Sequence, residues 1–195
     1  MRQLYAFLML GMLSSTMLIS VPALAANPQL TVETNRGNFV IELYPDKAPK
    51  TVANFMQYVN SGFYKDTIFH RVINRFMIQG GGFNADMSEK DTKAPITNEA
   101  GNGLLNEVGT LAMARTNDPD SATAQFFINL ENNRFLNYQG QEPDLIGYCV
   151  FGRVLKGMDV VREIASTPTG NKGGFSDVPK ATILIQQIKL NTAPL

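Results

Sequence analysis

Two short runs at 30–34 (Leu-Thr-Val-Glu-Thr) and 39–43 (Phe-Val-Ile-Glu-Leu) are rich in β-forming residues and flank Asn35-Arg36-Gly37, a turn signal. They predict a hairpin. Pro49 is followed by Val52, Phe55, Met56 and Val59 at helical spacing, with Gly62 just beyond. A helix with proline in its first turn is expected there. Further β-like runs lie at 68–73, 76–79, 110–115, 125–130, 148–154 and 182–190, mostly bounded by Gly, Asn, Asp or Pro. A second helix is predicted over 158–165, where Val160, Val161 and Ile164 give it one apolar face.

Many short strands with only two helices imply an all-β fold, a sandwich or a closed barrel. Closure removes exposed strand edges, so the preferred expectation is a barrel with a helix over each end. In the last run Ile183 and Ile185 fall on one parity and Ile188 and Leu190 on the other, which predicts a bulge or change of face near Gln187. The polar segment 84–109 has no clear periodicity and reads as a long loop, a feature more often functional or mobile than inert.

The first residues read differently. Arg2, an apolar stretch from Leu4 to Ile19 and Ala23-Leu24-Ala25 have the form of a secretory signal over 1–25, with a mature protein starting near Ala26. Residues 26–195 suffice for one domain. After cleavage, no stable membrane insertion is expected. With 17 Lys and Arg against 17 Asp and Glu, and no basic run, the chain lacks the surface that nucleic-acid binding requires. Cys149 is the only cysteine, so an internal disulfide is impossible and a bacterial periplasm fits better than a disulfide-dense setting. Flanked by Tyr148, Val150 and Phe151, it reads as a small buried hydrophobe. No heptad or long apolar edge argues against a monomer.

His70 is the only histidine, so metal sites of the usual His/Cys kind are nearly ruled out. Strand alternation places it on the face opposite Phe69 and Arg71, where a structural, hydrogen-bonded role is expected. No G-x-S-x-G elbow is present. Gly80-Gly81-Gly82 completes no phosphate-binding motif and reads as a bend at a strand end, and Asp118 and Asp120 read as solvated turn residues.

One guanidinium, Arg71, and one amide, Gln79, stand among large apolar residues in two adjacent β-like runs. Read alone, this is compatible with a barrel-rim arginine whose stem packs on phenylalanine. The wider pattern is more specific. F-H-R-V-I-x-x-F-M-I-Q-G-G, A-P-I-x-N-E-A, G-T-L-A-M-A-R-T, S-A-T-x-Q-F-F-I-N and V-F-G-R-V, in this order, make the chain resemble a cyclophilin of the bacterial periplasmic kind.

That resemblance implies a closed eight-stranded antiparallel β-barrel capped by two α-helices. It also implies a peptidyl-prolyl cis/trans isomerase that needs no cofactor and acts on flexible proline-containing polypeptides during the folding of exported proteins. A proline-binding or chaperone module without catalysis would use the same groove. By the resemblance Arg71 is the catalytic residue and Gln79 and Gln125 hold the substrate backbone. Phe76, Met77, Phe127 and Leu136 receive the proline ring, and Ala114 and Arg115 form the edge along which the peptide lies. Phe135 and Tyr148 stand where many eukaryotic cyclophilins have Trp and His, which implies weak cyclosporin binding. Strict alternation separates Phe76 from Met77 and Gln79, so their convergence rests on the family.

Overall fold

The computed structural model describes residues 26–192. The predicted signal over 1–25 lies outside the described residues. Ten strands and two helices follow in order: β1 (Gln29–Thr34), β2 (Gly37–Leu43), α1 (Pro49–Asn60), β3 (Thr67–Ile73), β4 (Met77–Asn84), β5 (Thr110–Met113), β6 (Phe126–Asn129), β7 (Val150–Lys156), α2 (Met158–Ala165), β8 (Thr169–Lys172), β9 (Phe175–Pro179) and β10 (Leu184–Leu190). Eight of the strands close an antiparallel barrel in the order β1-β10-β3-β4-β6-β5-β7-β2. These are the eight β-like runs of the sequence. The remaining pair, β8 and β9, forms a separate two-stranded hairpin.

Inward positions of the barrel build one apolar core that includes Leu30, Ile41, Phe69, Ile78, Leu111, Phe126, Ile128 and Ile185. Both helices add to it. From α1, the Phe55 ring lies 5.1 Å from Tyr64, 5.6 Å from Phe126 and 5.2 Å from Phe151. From α2, Val161 and Ile164 are fully buried in the same cluster. The α1 N-terminus has Pro49 in its first turn but no side-chain cap from Ala48. The carboxylate of Glu99 does that work from the 84–109 loop, accepting bonds from the Lys50 N–H (3.1 Å), the Thr51 N–H (2.8 Å) and the Thr51 hydroxyl (2.7 Å). A negative group is favoured at that end by the helix dipole. The same loop pairs Ile96 with Ala122 and donates the Lys93 N–H to the Tyr58 hydroxyl, so its polar residues anchor it to the barrel.

The break expected near Gln187 is present in β10. Glu33 pairs with Gln187 and Thr34 with Ile185, which leaves Gln186 as the extra residue. Some boundaries move. Gly80, Gly81 and Gly82 sit inside β4 instead of at a bend beyond it. Opposite Ile68 the strand carries three residues, Gly81, Gly82 and Phe83, and Gly81 takes φ +84° to make that irregularity. Tyr148 and Cys149 precede β7, Ala114 and Arg115 follow β5, and Phe76 precedes β4.

Candidate active site

The site depends on an extra residue in β3. Phe69 pairs with Gly80 and Arg71 with the adjacent Gln79, so His70 has no counterpart on β4. The bulge resets the alternation: Phe69 and Val72 enter the core, and Arg71 turns outward. The expectation that Phe69 and Arg71 share a face is thereby corrected. From Arg71 one row of opposed residues crosses the sheet through Gln79, Phe127, Ala112 and Val150. Met77, Gln125, Ala114 and Tyr148 lie two positions along on the same parity.

These outward positions carry a second apolar cluster, distinct from the barrel core. It is built on Met77, Ala112, Phe127, Leu136 and Val150, with Phe76, Ala114 and Tyr148 packed against it. Over it opens a pocket of about 190 Å³ walled by Phe76, Met77, Phe127, Leu136 and Tyr148, with Arg71, Gln79, Ala114 and Arg115 around its mouth. Phe76 belongs to the turn before β4, where Arg75 has φ +60° and the Phe76 N–H bonds to the Ile73 carbonyl. Strand parity therefore does not apply to it, and it meets Met77 in one cavity. Leu136 ends a single 3-10 turn, Arg134–Leu136.

The polar edge is equally defined. The Gln79 side-chain N–H donates to Gln125 Oε1 at 3.0 Å, and Gln125 donates in turn to Glu89 at 3.3 Å. Arg71 is 44% exposed, with Nε 3.8 Å from Asp177 Oδ2 on β9. Arg115 lies over the Tyr148 ring at 4.6 Å and donates to the Gly147 and Thr116 carbonyls, so its guanidinium braces the pocket wall. Gln125 faces an adjoining groove of about 640 Å³ that shares Arg71, Gln79, Ala114 and Arg115 with the pocket. Phe135 does not line the cavity. It is 67% exposed and stacks on Phe76 from outside, centroids 5.7 Å apart.

The groove also brings in residues that the sequence pattern did not single out: Phe83, Glu89, Thr123, Phe175 and Asp177. Asp177 and Phe175 come from the β8–β9 hairpin, whose polar segments carry no periodic signal.

His70 is buried against Phe83, ring centroids 4.5 Å apart. Burial, and secondarily the Arg71 charge, push it down to about 4, so the ring is neutral at pH 7. Its Nδ1 is buried without a hydrogen-bond partner. At Nδ1 the expected hydrogen bond is missing, and the ring packs on Phe83 while lining the groove. Cys149 is buried beside Thr51, with Sγ and Oγ1 3.4 Å apart, and burial pushes its thiol up to about 11. Among the described residues no group of three or more His, Cys, Asp or Glu side chains is placed to hold a metal ion.

Residues 29–190 match the family model described as cyclophilin type peptidyl-prolyl cis-trans isomerase/CLD. The chain is 56% identical over 162 residues to peptidyl-prolyl cis-trans isomerase B of Escherichia coli (strain K12), covering 83% of this chain and 99% of that one. It is 54% identical over 176 residues to a peptidyl-prolyl cis-trans isomerase of Acinetobacter baylyi, covering 90% and 92% respectively. Among solved structures it resembles the cyclophilin type peptidyl-prolyl cis-trans isomerase of Cryptosporidium parvum, crystallised in the presence of the dipeptide Ala-Pro. The TM-score is 0.69 at 28% identity, over 85% of this chain and 99% of that one.

Proposed function

The chain belongs to the cyclophilin-type peptidyl-prolyl cis-trans isomerase family, and we propose that Arg71 is the catalytic residue of its reaction. The protein is a peptidyl-prolyl cis-trans isomerase. The single observation that carries the assignment of residues is the placement of one half-exposed guanidinium beside a pocket with apolar walls and a pair of bonded glutamine amides.

Rotation about a peptide bond faces a barrier of roughly 20 kcal/mol because the planar amide is resonance-stabilised. No covalent bond breaks. In the twisted transition state the nitrogen lone pair is withdrawn from the carbonyl, so a donor aimed at that nitrogen binds more strongly there than in either planar form. Arg71 supplies such a donor from a permanent cation. A charge-assisted hydrogen bond of about 2 kcal/mol corresponds to roughly thirtyfold in rate, and exclusion of water strengthens it. The pocket has room for only about six waters at their liquid volume of ~30 Å³, a size suited to a single ring.

With the proline ring held by Phe76, Met77, Phe127 and Leu136, the preceding carbonyl is the part that swings. Gln79 and Gln125 bind the substrate backbone beside it, and the small side chain of Ala114 lets the peptide approach. Phe135 offers a stacked ring but no N–H donor, which supports weak cyclosporin binding.

We further propose that the enzyme assists folding of exported proteins in a periplasm, as a monomer. Arg2, the apolar stretch from Leu4 to Ile19 and Ala23-Leu24-Ala25 support export with cleavage before Ala26. Among the described residues no helix is long and apolar enough to cross a membrane. Determining the N-terminal residue of the protein recovered from a periplasmic fraction tests this: a chain still beginning at Met1 would refute cleavage.

The catalytic assignment is tested by the cis-to-trans rate of a short Ala-Pro peptide at about 10 °C, where the uncatalysed step takes minutes. A large acceleration by the wild-type protein that Arg71→Ala loses is expected. An Arg71→Ala protein of undiminished rate would place catalysis elsewhere, and an inactive wild-type protein would favour a peptide-binding module.

A further inference from the structure

Three of the five apolar wall residues of the pocket come from segments that no strand ladder places. Phe76 precedes β4, Leu136 ends a short turn and Tyr148 precedes β7. Beneath them lie three buried asparagines, Asn106, Asn129 and Asn133, exposed to 1%, 0% and 4%. Their amides form a directional chain. Asn133 Nδ2 donates to Asn129 Oδ1 at 2.7 Å, and Asn129 Nδ2 donates to Asn106 Oδ1 at 3.1 Å. Asn106 Nδ2 donates to the carbonyls of Leu136 (3.1 Å) and Tyr148 (3.3 Å), while at the other end Asn133 Nδ2 also donates to the Phe76 carbonyl at 2.9 Å.

Backbone carbonyls terminate the chain at both ends, and carbonyls only accept. Turning the Asn133 or the Asn106 amide around would therefore set oxygen against oxygen, so the polarity of the relay is fixed by the fold. Burying three amides in an otherwise apolar region costs stability unless every donor is met. A barrel end needing only to be filled would hold apolar side chains.

We infer that Asn106, Asn129 and Asn133 are positioning residues that set the separation of Phe76 from Leu136 and Tyr148, and thereby the ring size the pocket accepts. The inference rests on the assignment of this pocket to the proline ring. The relay touches no reacting atom. It ties both walls to one rigid chain, so that a five-membered ring is gripped and a larger one meets resistance.

The test uses the catalysed rates for Ala-Pro peptides and for the same peptides with the six-membered homologue, pipecolic acid, in place of proline. Asn133→Ala is the mild variant, because the Phe76 carbonyl keeps its bond from the Leu130 N–H at 2.9 Å. Asn129→Asp is nearly isosteric and, with its buried carboxyl held neutral, keeps one donor where the amide has two, to Asn106 Oδ1 and Thr110 Oγ1. Both are expected to fold and to lower the preference for proline over pipecolate by roughly threefold to tenfold, the equivalent of one hydrogen bond. Val161→Ala, which loosens the core beneath α2, lowers both rates together and leaves the ratio unchanged.

An unaltered ratio in folded Asn133→Ala and Asn129→Asp would overturn the inference. So would failure of both variants to fold, which would assign the relay to the core alone. A wild-type protein without isomerase activity would sink the prolyl-pocket reading itself, a result distinct from an active wild type with an unmoved ratio.

Discussion

Arg71 and Gln79 are a directly opposed pair on β3 and β4, with the apolar pocket on one side of them and the Gln125 groove on the other. Their opposition is created by His70, whose insertion turns the guanidinium out of the barrel. The unpaired residue therefore determines which way the guanidinium faces. The geometry proposed for catalysis is a property of strand register before it is a property of any one side chain.

Among the described residues Asp177 is the acidic side chain within ion-pair reach of Arg71, 3.8 Å from Nε, and it holds φ +61° on the β8–β9 hairpin. Both side chains are more than 40% exposed, so the ion pair contributes within the modest range of surface pairs, below about 1 kcal/mol. Asp177→Asn is expected to change kcat/KM by less than about fivefold. The effect should shrink as salt is raised, because an exposed pair is screened. A loss approaching that of Arg71→Ala would show the carboxylate to be part of the reaction itself.

The pH behaviour separates activity from stability. The only histidine is held at about 4, so catalysis is expected to be flat from about pH 6 to 9, and a bell centred near 6.5 in the Ala-Pro rate would contradict the mechanism. Stability should depend on His70. An unfolded chain takes up its proton near the ordinary value of 6.5 and the folded protein only near 4. Between those values the unfolded state binds more protons, so stability is fully present above 6.5, falls as the pH falls, and levels off below 4. The full difference is on the order of 3 to 4 kcal/mol. Urea midpoints measured at intervals across that window should show the decline, and His70→Phe should reduce it.

The barrel was legible because each of its eight strands is a short β-rich run punctuated by turn residues, and both helices carry an apolar face of helical period. What was not legible depends on partners. The facing of Arg71 requires knowing that Gly80 and Gln79 oppose Phe69 and Arg71, information held by the neighbouring strand. Phe76 looked misplaced only while it was counted as part of a strand. The β8–β9 hairpin is polar, with Val178 and Pro179 its only buried residues, so no alternation announces it or the Asp177 it delivers to the site. Asn106 falls in the segment read as a long loop and Asn129 in a β-like run, and only the burial of these two and of Asn133 reveals the relay.

Cys149 should be unreactive in the native protein. At pH 8 a thiol held at about 11 is roughly one part in a thousand thiolate, against about one in ten at the ordinary value of 9.0, and burial hinders access as well. Modification by an aromatic disulfide reagent is therefore expected to be at least about a hundredfold slower in buffer than in denaturant. A native rate close to the denatured one would show that the segment before β7 opens readily.

Gly82 tests how much the groove depends on the place of Gln125. A Cβ at position 82 would lie 2.7 Å from Gln125 Cδ and 2.8 Å from its Nε2, and closer still to Cγ. The backbone of Gly82 does not require a positive φ, so Gly82→Ala meets a side chain and no conformational penalty. Gln125 must then swing away, losing its bonds to Gln79 and Glu89. The apolar pocket over Met77 and Phe127 is built from other residues and should remain. Gly82→Ala is accordingly expected to raise KM for a peptide by roughly tenfold, the equivalent of one or two hydrogen bonds to substrate, with kcat much less affected. A fall in kcat at unchanged KM would mean that Gln125 acts on the twisted amide and not on the bound backbone, and its role would then stand beside that of Arg71.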